Sequence, residues 1–519
     1  MRNLSSVSKA ARAAIGLLAI MVVTAAVFAG CGSSSSGSSE DASFTGSGVP
    51  NGDVANTRHQ SGGPIDSSTV SDLQVAWKLP LHATSAFGSY ASTPIISKGV
   101  MYSQDLASNV QAIDVQSGEV LWTANFEQPD HGPNGVVVAE GLVFGATPTE
   151  AFALDQATGQ EEWSVKLARN GKEGIDMAPG FRDGLVYVST VPVNVEEFYG
   201  GDGVGILWAL DGKTGKKVWH FNTVPNDLWT NSSAARNLNS GGGLWYPPAF
   251  DEEGSMYVAV GNPGPIPGTE KYPWGSSRPG PDLYTDSIVK LDAKTGKMDW
   301  YFQLTPHDVN DWDLQDPPIL IKSGGKDMVI GAGKSGIVIA LDRSSGKLLW
   351  KRPVGIHSGW DDIGREAMQG KTPKLPITVL PGSLGGVIAP MASDGTTVFV
   401  PVVNSSLTIS SQSEKSEGGP GNGEVVALDA TTGKVKWKEE MATPAFGYMT
   451  AVNDLVFSTT YDGTVSAFDT KSGTVVWREK LPAGTNSGVT VADDMLIAPA
   501  GVAAAEGQVP QIVAYRLGG

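Results

Sequence analysis

Short apolar segments that end in Ala-x-Asp recur along the chain. Each is followed by a polar turn and then by alternating residues that lead to a Trp. Ala209-Leu210-Asp211 precedes Trp219 in this way, and Ala340-Leu341-Asp342 precedes Trp350; Lys290 takes the place of the Ala in one copy. Alternation of apolar and polar residues is typical of a β-strand with one buried face. The pattern therefore predicts a succession of β-hairpins in which each Trp lies on a buried face.

The turn belongs to a nine-residue motif, Asp-x-x-Ser/Thr-Gly-x-x-x-Trp, which occurs seven times without a change of spacing. Its copies begin at Asp114, Asp155, Asp211, Asp292, Asp342, Asp429 and Asp469. The Asp side chain can accept hydrogen bonds from the amides of the turn, and the Gly supplies the positive φ of a three-residue hairpin with a bulge. The large Trp suits the seam between neighbouring sheets. Seven unrelated hairpins would need seven coincidences, whereas repeats of about 40 residues indicate a propeller or a solenoid.

The two ends of the chain supply one further unit. Ile512-Val513-Ala514-Tyr515-Arg516 repeats the strand before the turn, and Leu73-Gln74-Val75-Ala76-Trp77 supplies a strand that bears a Trp. The sequence therefore predicts an all-β fold, an eight-bladed β-propeller with Trp-docking repeats, closed by pairing of its N- and C-terminal strands. The residues that mark the eight blades are Trp77, Trp122, Trp163, Trp219, Trp300, Trp350, Trp437 and Trp477.

The first 30 residues are predicted to be a secretory signal. Arg2, Lys9 and Arg12 precede an apolar run at 13–28, which is short for a membrane span and is followed by polar residues. The formal net charge of the whole chain is −17, and this signal adds basic but no acidic residues. The mature chain is therefore more acidic still, which argues against nucleic acid as a partner.

The signal ends in Phe28-Ala29-Gly30-Cys31, which is similar to a bacterial lipoprotein box with Phe where Leu is usual. Cys31 is the one cysteine of the sequence, so it forms no internal disulfide and is the expected lipidation site. The alternative is an ordinary signal that happens to contain a Cys. We expect a signal peptide at 1–30, a Ser/Gly-rich tether at 31–49 and the propeller at 50–519. The predicted location is extracytoplasmic, with a lipid anchor in the cell membrane.

Two intervals between successive Trp residues are stretched. From Trp219 to Trp300 the chain advances 81 residues, and from Trp350 to Trp437 it advances 87, where a four-stranded blade needs about 40 to 45. Long loops of this kind are usually functional or disordered. The first interval holds a Gly- and Pro-rich segment that starts at Asn262, which we expect to form a lid or rim over one face of the propeller.

An acidic stretch follows the first of these intervals. It contains Asp308, Asp311, Asp313 and Asp316, four carboxylates within nine residues. Such carboxylates repel one another unless they are solvated or gathered around a cation, and oxygen ligands from Asp, Asn and Glu suit calcium. A solvated acidic loop and a calcium site are both consistent with the stretch.

The motif, the eightfold closure and the segments around Trp245 and Asp313 resemble the quinoprotein alcohol dehydrogenases, which bind pyrroloquinoline quinone on the propeller axis. The resemblance extends from about Pro50 to the C-terminus. It implies that Trp245, after a Gly-rich turn, stacks on the quinone, and that Lys334 in Gly333-Lys334-Ser335-Gly336 reaches the quinone oxygens. It also implies a catalytic base, Asp313, which follows Trp312.

The same resemblance implies a calcium site. Its ligands would be Asn262 in a Gly-Asn-Pro turn, Asp313, and a Glu upstream of Trp219, for which Glu197 is the first choice and Glu196 the second. Gln315 is neutral where the lanthanide-using members of the family carry a second Asp, so calcium is the expected metal.

The activity implied is oxidation of an alcohol or sugar by hydride transfer to the quinone. Calcium would polarise the quinone carbonyl, Asp313 would remove the hydroxyl proton, and Lys334 would stabilise the charge that develops. No Cys-x-x-Cys-His occurs in the sequence, so no covalent haem domain is expected within it. Electrons would pass to an external acceptor, a cytochrome or a quinone.

The sequence also departs from the family. Its adjacent Cys-Cys pair is absent, Asn134 stands where an Arg is expected, Ala91 replaces an acidic residue, and Val387-Ile388 replaces an Asn-Trp pair. These changes fall on the residues that would bind the cofactor's carboxylates. The main alternative is therefore a non-catalytic propeller lipoprotein that acts as an assembly scaffold or binding protein. A third interpretation is a sugar binder that uses the aromatic residues Tyr246, Tyr272 and Trp274, which could equally be packing residues.

Overall fold

A computed structural model describes residues 48–169, 171–193, 201, 203–419 and 421–518. These residues form eight blades, each with four antiparallel strands. In seven of them the strands follow one another in chain order, and only short helices interrupt the blades. The prediction of an all-β, eight-bladed propeller is confirmed. Cys31, Glu196 and Glu197 lie outside the described residues.

We number the blades along the chain. Blade 1 is Ile95–Ser97, Val100–Gln104, Val110–Asp114 and Val120–Ala124; blade 2 is Val137–Ala139, Leu142–Ala146, Glu150–Asp155 and Glu161–Lys166. Blade 3 is Gly180–Arg182, Leu185–Ser189, Ile206–Asp211 and Lys217–Asn222; blade 4 is Ala249–Phe250, Ser255–Val260, Ser287–Asp292 and Met298–Gln303. Blade 5 is Ile319–Ser323, Lys326–Gly331, Ile337–Asp342 and Leu348–Pro353; blade 6 is Ala392–Ser393, Thr397–Val403, Gly423–Asp429 and Val435–Met441. Blade 7 is Thr450–Val452, Leu455–Thr459, Thr464–Asp469 and Val475–Lys480, and blade 8 is Thr490–Ala492, Met495–Ala500, Gln511–Leu517 and Leu73–Pro80.

Smaller elements lie between the blades and within their loops. The α-helices are Asn226–Trp229, Ser233–Arg236 and Ile363–Met368, and the 3-10 helices are Val70–Asp72 and Pro273–Gly275. Additional strands pair Glu173–Gly174 with Val191–Pro192 and Ser240–Gly241 with Pro263–Gly264. Ile377–Val379, Leu407–Ile409 and Lys415–Glu417 form a three-stranded sheet, which we call the inserted sheet. Among the described residues, no helix is both long enough and apolar enough to cross a membrane.

Blade 8 is completed by residues from both ends of the described chain. Leu73–Pro80 pairs antiparallel with Gln511–Leu517, and Trp77 lies opposite Ala514. The closure predicted from the sequence is therefore present, and Trp77 occupies the place in blade 8 that the other Trp residues occupy in theirs.

The repeated motif joins each blade to the next. In all seven copies the Asp carboxylate accepts hydrogen bonds from the Ser or Thr three residues later, as Asp211 Oδ1 does from Thr214 N at 2.9 Å. The Gly has a positive φ, 67° at Gly215, as predicted. It also lies under the Trp of the preceding blade: a Cβ on Gly215 would stand 2.7 Å from the Trp163 ring. Trp163 Nε1 donates to Gly212 O at 2.9 Å, so at this junction the Trp contacts both a bare glycine and a carbonyl group of the next blade.

The junction between blades 7 and 8 is different because blade 8 has no copy of the motif. Trp477 packs there against Tyr515, with ring centroids 6.0 Å apart and the rings near perpendicular, and against Phe457. Aromatic packing thus replaces the glycine contact where the chain ends meet.

A segment at residues 48–60 crosses the central ring of innermost strands, and we call it the plug. Its carbonyls accept hydrogen bonds from the first strand of blade 4 at Val54, of blade 5 at Ala55, of blade 6 at Thr57 and of blade 7 at Arg58, at 2.8 to 2.9 Å. His59–Gln60 then pairs parallel with the first strand of blade 7. The plug therefore bridges four consecutive blades, through donors that extend from Phe250 to Ala451.

The two stretched intervals of the sequence pack together over one side of the ring. Trp274 from the first interval shares a small hydrophobic core with Trp312, with Ile363 and with the inserted sheet from the second interval. We call this assembly the cap. The Gly- and Pro-rich segment is thus part of this packed cap, and its role as a lid or rim over one face of the propeller stays a prediction.

Candidate active site

A cavity of about 470 Å³ lies beside the cap. The apolar residues of its wall include Ala91, Val193, Ile388 and Phe446. Its other residues include Trp245, Asp311, Lys334 and Lys415. Tyr246 and Tyr448 line this cavity and also a small space of about 20 Å³ whose other walls include Pro50 and Asn51 of the plug. The plug therefore lies behind these two tyrosines.

Asp313 is held in the floor beneath this cavity. Its Oδ1 accepts a hydrogen bond from the backbone N–H of Asn262 at 2.7 Å and one from Trp245 Nε1 at 3.3 Å. Its Oδ2 lies 2.6 Å from Lys334 Nζ. Only 1% of Asp313 is exposed, so these contacts take the place of water around its carboxylate.

The loop that carries Asp313 is fixed from within. Trp312 is 2% exposed, belongs to the cap core and donates from Nε1 to Pro381 O at 3.0 Å. The Asp308 carboxylate accepts from the backbone N–H of Asn310 at 2.8 Å and of Trp312 at 2.6 Å, which closes the turn. Asp311 and Asp313 flank Trp312 in the sequence, so the buried Trp312 ring fixes the position of the backbone that carries both carboxylates.

Two glycines permit the close approach of Asp313 to its neighbours. A Cβ on Gly261 would stand 2.4 Å from Asp313 Oδ1, and a Cβ on Gly333 would stand 1.9 Å from Asp313 O. These distances are far shorter than any contact between non-bonded atoms that a side chain tolerates. The glycines next to Asn262 and Lys334 are therefore part of the geometry of the site.

A second carboxylate, Asp311, lies at the cavity wall between two lysines. Its Oδ2 is 3.5 Å from Lys334 Nζ and 3.7 Å from Lys415 Nζ. Lys415 also donates to Ser383 Oγ at 3.1 Å and lies 3.6 Å from Glu417 Oε1. Burial raises the pKa of Asp311 to about 6, although the two lysines favour its charged form.

Asp176 lines another part of the wall, and a second buried acidic residue, Asp130, lies next to it. Burial raises the pKa of both carboxyls, and the neighbouring charge of Asp130 raises that of Asp176 further. Asp130 Oδ1 accepts from the backbone N–H of His131 at 2.7 Å, which favours its charged form. The pKa of Asp176 is therefore raised more than that of Asp130.

The structure brings together four of the predicted site residues. Trp245 and Lys334 line the cavity, and Asn262 and Asp313 lie directly beneath it. The catalytic, cofactor-binding and metal-binding roles assigned to them remain predictions, as do those of Glu197 and Cys31. Sequence reasoning did not find Lys415, because an isolated Lys in an irregular insertion has no recognisable pattern.

The residues that depart from the family pattern are distributed unevenly. Ala91 and Ile388 line the cavity, as does Gln315, whose Nε2 donates to Ile388 O at 2.8 Å. Asn134 instead donates to Asp105 O at 2.7 Å and lines the small space next to the plug. The cavity wall therefore lacks, in its described part, an arginine that could bind a carboxylate.

Two further predictions concern aromatic residues and metal ligands. Trp274 is buried in the cap core and Tyr246 packs edge-on against Tyr448, contacts that suit packing residues. In the described part of the chain, no group of three or more His, Cys, Asp or Glu side chains has the geometry to hold a metal ion.

Known proteins with similar sequences include quinone-dependent dehydrogenases. The quinohemoprotein alcohol dehydrogenase of Comamonas testosteroni is 29% identical over 478 residues, which cover 79% of this chain and 66% of that protein. The dehydrogenase subunit of the Gluconobacter oxydans alcohol dehydrogenase (quinone) is 27% identical over 62% of this chain and 47% of its own length. The chain thus spans about two thirds or less of these relatives.

Solved structures show the same fold. The Comamonas testosteroni enzyme superposes with a TM-score of 0.79 and 25% identity, over 92% of this chain and 81% of that one. BamB from Moraxella catarrhalis superposes with a TM-score of 0.52 and 15% identity over 86% of this chain and 99% of its own, which indicates a shared fold alone.

Two family profiles match different parts of the chain. A profile described as outer membrane protein assembly factor BamB matches residues 361–517. A second profile, described as the β-propeller domain of glucose/ethanol/alcohol dehydrogenases dependent on pyrroloquinoline quinone (PQQ), matches residues 49–136 and 171–354. These residues make up just over half of the chain and include Trp245, Asn262, Asp313 and Lys334. This chain therefore belongs to the PQQ family of glucose, ethanol and alcohol dehydrogenase β-propellers.

Proposed function

We propose that this protein oxidises an alcohol by hydride transfer to bound PQQ, with calcium as the metal. The observation that carries the proposal is the convergence of Trp245, Asn262, Asp313 and Lys334 at the floor of one cavity, although they come from separate loops. A scaffold has no need for a buried carboxylate that receives two N–H groups and an ammonium.

The cavity suits a flat cofactor at this floor. Its volume of about 470 Å³ falls within the range of about 300 to 1,000 Å³ that is typical of cofactor sites. Trp245 would stack on the ring system, and Lys334 would bind its oxygens and stabilise the negative charge that reduction brings. PQQ, when bound, supplies a carbonyl carbon that accepts the hydride.

We assign to Asp313 the removal of the hydroxyl proton from the alcohol. Its Oδ1 is occupied by the N–H groups of Asn262 and Trp245, which leaves Oδ2, beside Lys334, to accept the hydroxyl proton of the alcohol. The alcohol loses this proton and a hydride, and leaves as an aldehyde or ketone. The two electrons then pass to an external acceptor, a cytochrome or a quinone.

Calcium fits the described residues in part. Asn262 and Asp313 offer two oxygen-bearing side chains, and Glu197 would supply the third ligand. Calcium, when bound, would act as a Lewis acid at the quinone. Asp313 would then serve both as ligand and as base.

The walls of the cavity favour an alcohol over a sugar. Phe87, Leu384 and Phe446 border it, and Ile388 and Val193 line its interior. A polyhydroxylated sugar would need many hydrogen-bonding partners, whereas apolar side chains gain by covering the alkyl or aryl part of an alcohol.

An assembly scaffold is the second candidate, because residues 361–517 match the BamB profile. The two functions differ in what they require of the cavity: a scaffold tolerates loss of Asp313, and a dehydrogenase does not.

We also propose the location expected from the sequence, an extracytoplasmic lipoprotein anchored through Cys31. Replacement of Cys31 by Ser would release the protein from the membrane fraction if this is correct.

Reconstitution tests the enzymatic proposal. The purified soluble portion would be incubated with PQQ and calcium, dialysed, and assayed for quinone absorbance and for reduction of a dye with primary alcohols and aldoses. Retained absorbance, and dye reduction that requires an alcohol, PQQ and calcium, support the proposal. If no quinone is retained and Asp313→Asn changes nothing, the scaffold is the better interpretation.

A further inference from the structure

The cavity wall carries an unexpected second lysine. Lys415 comes from the inserted sheet, where it lies opposite Ile409 of the neighbouring strand. Ile409 is fully buried in the cap core, so the strand pairing sets the place of Lys415 at the cavity. Only 8% of the Lys415 side chain is exposed, which distinguishes it from a solvated surface lysine.

Lys415 and Lys334 are held near each other by one acidic group. Both Nζ atoms lie within 3.7 Å of Asp311 Oδ2, so the two ammonium groups are at most about 7 Å apart. Asp311 offsets their mutual repulsion and is itself a wall residue. Two buried cations are thus kept side by side, facing the same space.

The charge of the described wall is otherwise poorly suited to an anion. Its acidic residues are Asp176, Asp311 and Glu417, and its basic side chains besides His131 are the two lysines. The buried Asp130–Asp176 pair adds negative charge and offers no cation. An anionic ligand would therefore find its favourable contacts at Lys334 and Lys415.

We propose that Lys415 is a cofactor-binding residue, which places its ammonium against an anionic oxygen of PQQ next to the one that Lys334 contacts. This inference rests on the proposed function, because PQQ carries the carboxylates and quinone oxygens that such a pair would bind. Lys415 thereby supplies a contact to an anionic group of the cofactor, of the kind that Asn134 and Ala91 do not supply.

Equilibrium binding of PQQ to the cofactor-free full chain tests this without turnover. Trp fluorescence quenching and quinone absorbance after dialysis, at fixed calcium, give the Kd for the wild type, Lys415→Met and Lys415→Arg. We expect the Met variant to bind about 10-fold more weakly or worse and the Arg variant to remain within about threefold of wild type, since loss of a charge-assisted hydrogen bond has this effect. The Kd of the Met variant should also depend less on ionic strength.

Lys438 provides the matched control. It lies on the outer strand of blade 6, 3.3 Å from Glu424 Oε1, and has no part in the cavity. Lys438→Met should bind PQQ as the wild type does. Far-ultraviolet circular dichroism and thermal unfolding report whether each variant is folded. If Lys415→Met does not fold, Lys415→Gln replaces it in the binding test.

The outcomes separate the two proposals. If the wild type binds PQQ and the folded Met or Gln variant binds it equally well, Lys415 is only a structural partner of Asp311 and the inference is overturned while the proposed function stands. If the wild type binds no PQQ at all, both fall.

Discussion

Lys334 Nζ lies 2.6 Å from Asp313 Oδ2, in a place where water has almost no access to either side chain. Breaking such a buried pair leaves an uncompensated charge, so the two residues act as one unit. Their contact joins the loop after blade 4 to the turn between the second and third strands of blade 5.

Replacement of Asp313 by Asn tests its role as the base. The amide keeps the shape of the side chain but accepts no proton, so we expect kcat for any alcohol substrate to fall by about 100- to 10,000-fold. Dye reduction measures this, and quinone absorbance checks that cofactor is still bound. The control is Asp299→Asn on the outer strand of blade 4, where Asp299 pairs with Lys290 at 3.8 Å. A kcat for Asp313→Asn within threefold of wild type would exclude it as the base.

Replacement of Gly261 by Ala tests the packing around Asp313. The added Cβ would lie 2.4 Å from Asp313 Oδ1 and 3.2 Å from Trp245 Nε1, so one of these groups must move. We expect a loss of about 100-fold in kcat/KM, because displacement of a catalytic group by about 1 Å has that effect. Gly280→Ala, where a Cβ would meet nothing within 4 Å, should have activity within twofold of wild type. Equal activity in the two variants would contradict the geometry described here.

The junctions between blades predict a difference in stability. Trp163→Phe loses the hydrogen bond from Nε1 to Gly212 O and leaves a carbonyl without its donor. Trp477→Phe removes the same ring atoms at the junction that has no copy of the motif. We expect the free energy of unfolding in urea to fall by about 1 kcal/mol more for Trp163→Phe. A larger loss for Trp477→Phe would show that the aromatic contact with Tyr515 is the stronger junction.

Acid stability should depend on the motif. Hydrogen bonds from Ser344 and Ser345 lower the pKa of Asp342 from 3.8 to about 2. A carboxyl whose folded pKa is lowered stabilises the protein above the unfolded pKa, and this contribution is lost as the pH falls from about 4 to about 2. The decrease in Tm between pH 6 and pH 2.5 should therefore be smaller for Asp342→Asn than for the wild type. An identical decrease in both proteins would show that the pKa of Asp342 does not differ between the folded and unfolded states.

Substrate preference should follow the apolar border of the cavity. For straight-chain primary alcohols we expect kcat/KM to rise by up to about fourfold per added methylene, until the pocket is filled, and aldoses to be poor substrates. Leu384→Asn, at a border position that is 42% exposed, should flatten this series. A preference of the wild type for glucose over 1-hexanol would overturn the choice of alcohol while leaving the hydride-transfer proposal in place.

The fold could be predicted from the sequence because it depends on local contacts that repeat. Each copy of the motif brings its own Asp, Gly and Trp, and a copy such as that at Asp211 contains enough information to form its turn. The plug could not be predicted in this way. Val54, Ala55 and Thr57 use their carbonyl groups, which every residue has, so no side-chain pattern marks the segment.

The candidate site was predictable only in part, for a related reason. Asn262 and Lys334 each follow a glycine that the close approach to Asp313 requires, and those neighbourhoods are visible as motifs. The position of Asp311 between two lysines depends instead on how the inserted sheet packs on Trp312. That packing involves residues about 100 positions apart, and neither partner alone reveals it.

The plug and the closing strand of blade 8 also constrain the order in which the molecule can assemble. Arg58 donates to Met449 O and Thr450 Oγ1, and Leu73–Pro80 pairs with Gln511–Leu517, so these residues, although made early in synthesis, have partners that are made late. Blades 1 to 6 can form their local hairpins as they emerge, but the eighth blade is incomplete until the final strand is present. Until then, Arg58 and Leu73–Pro80 lack these native partners.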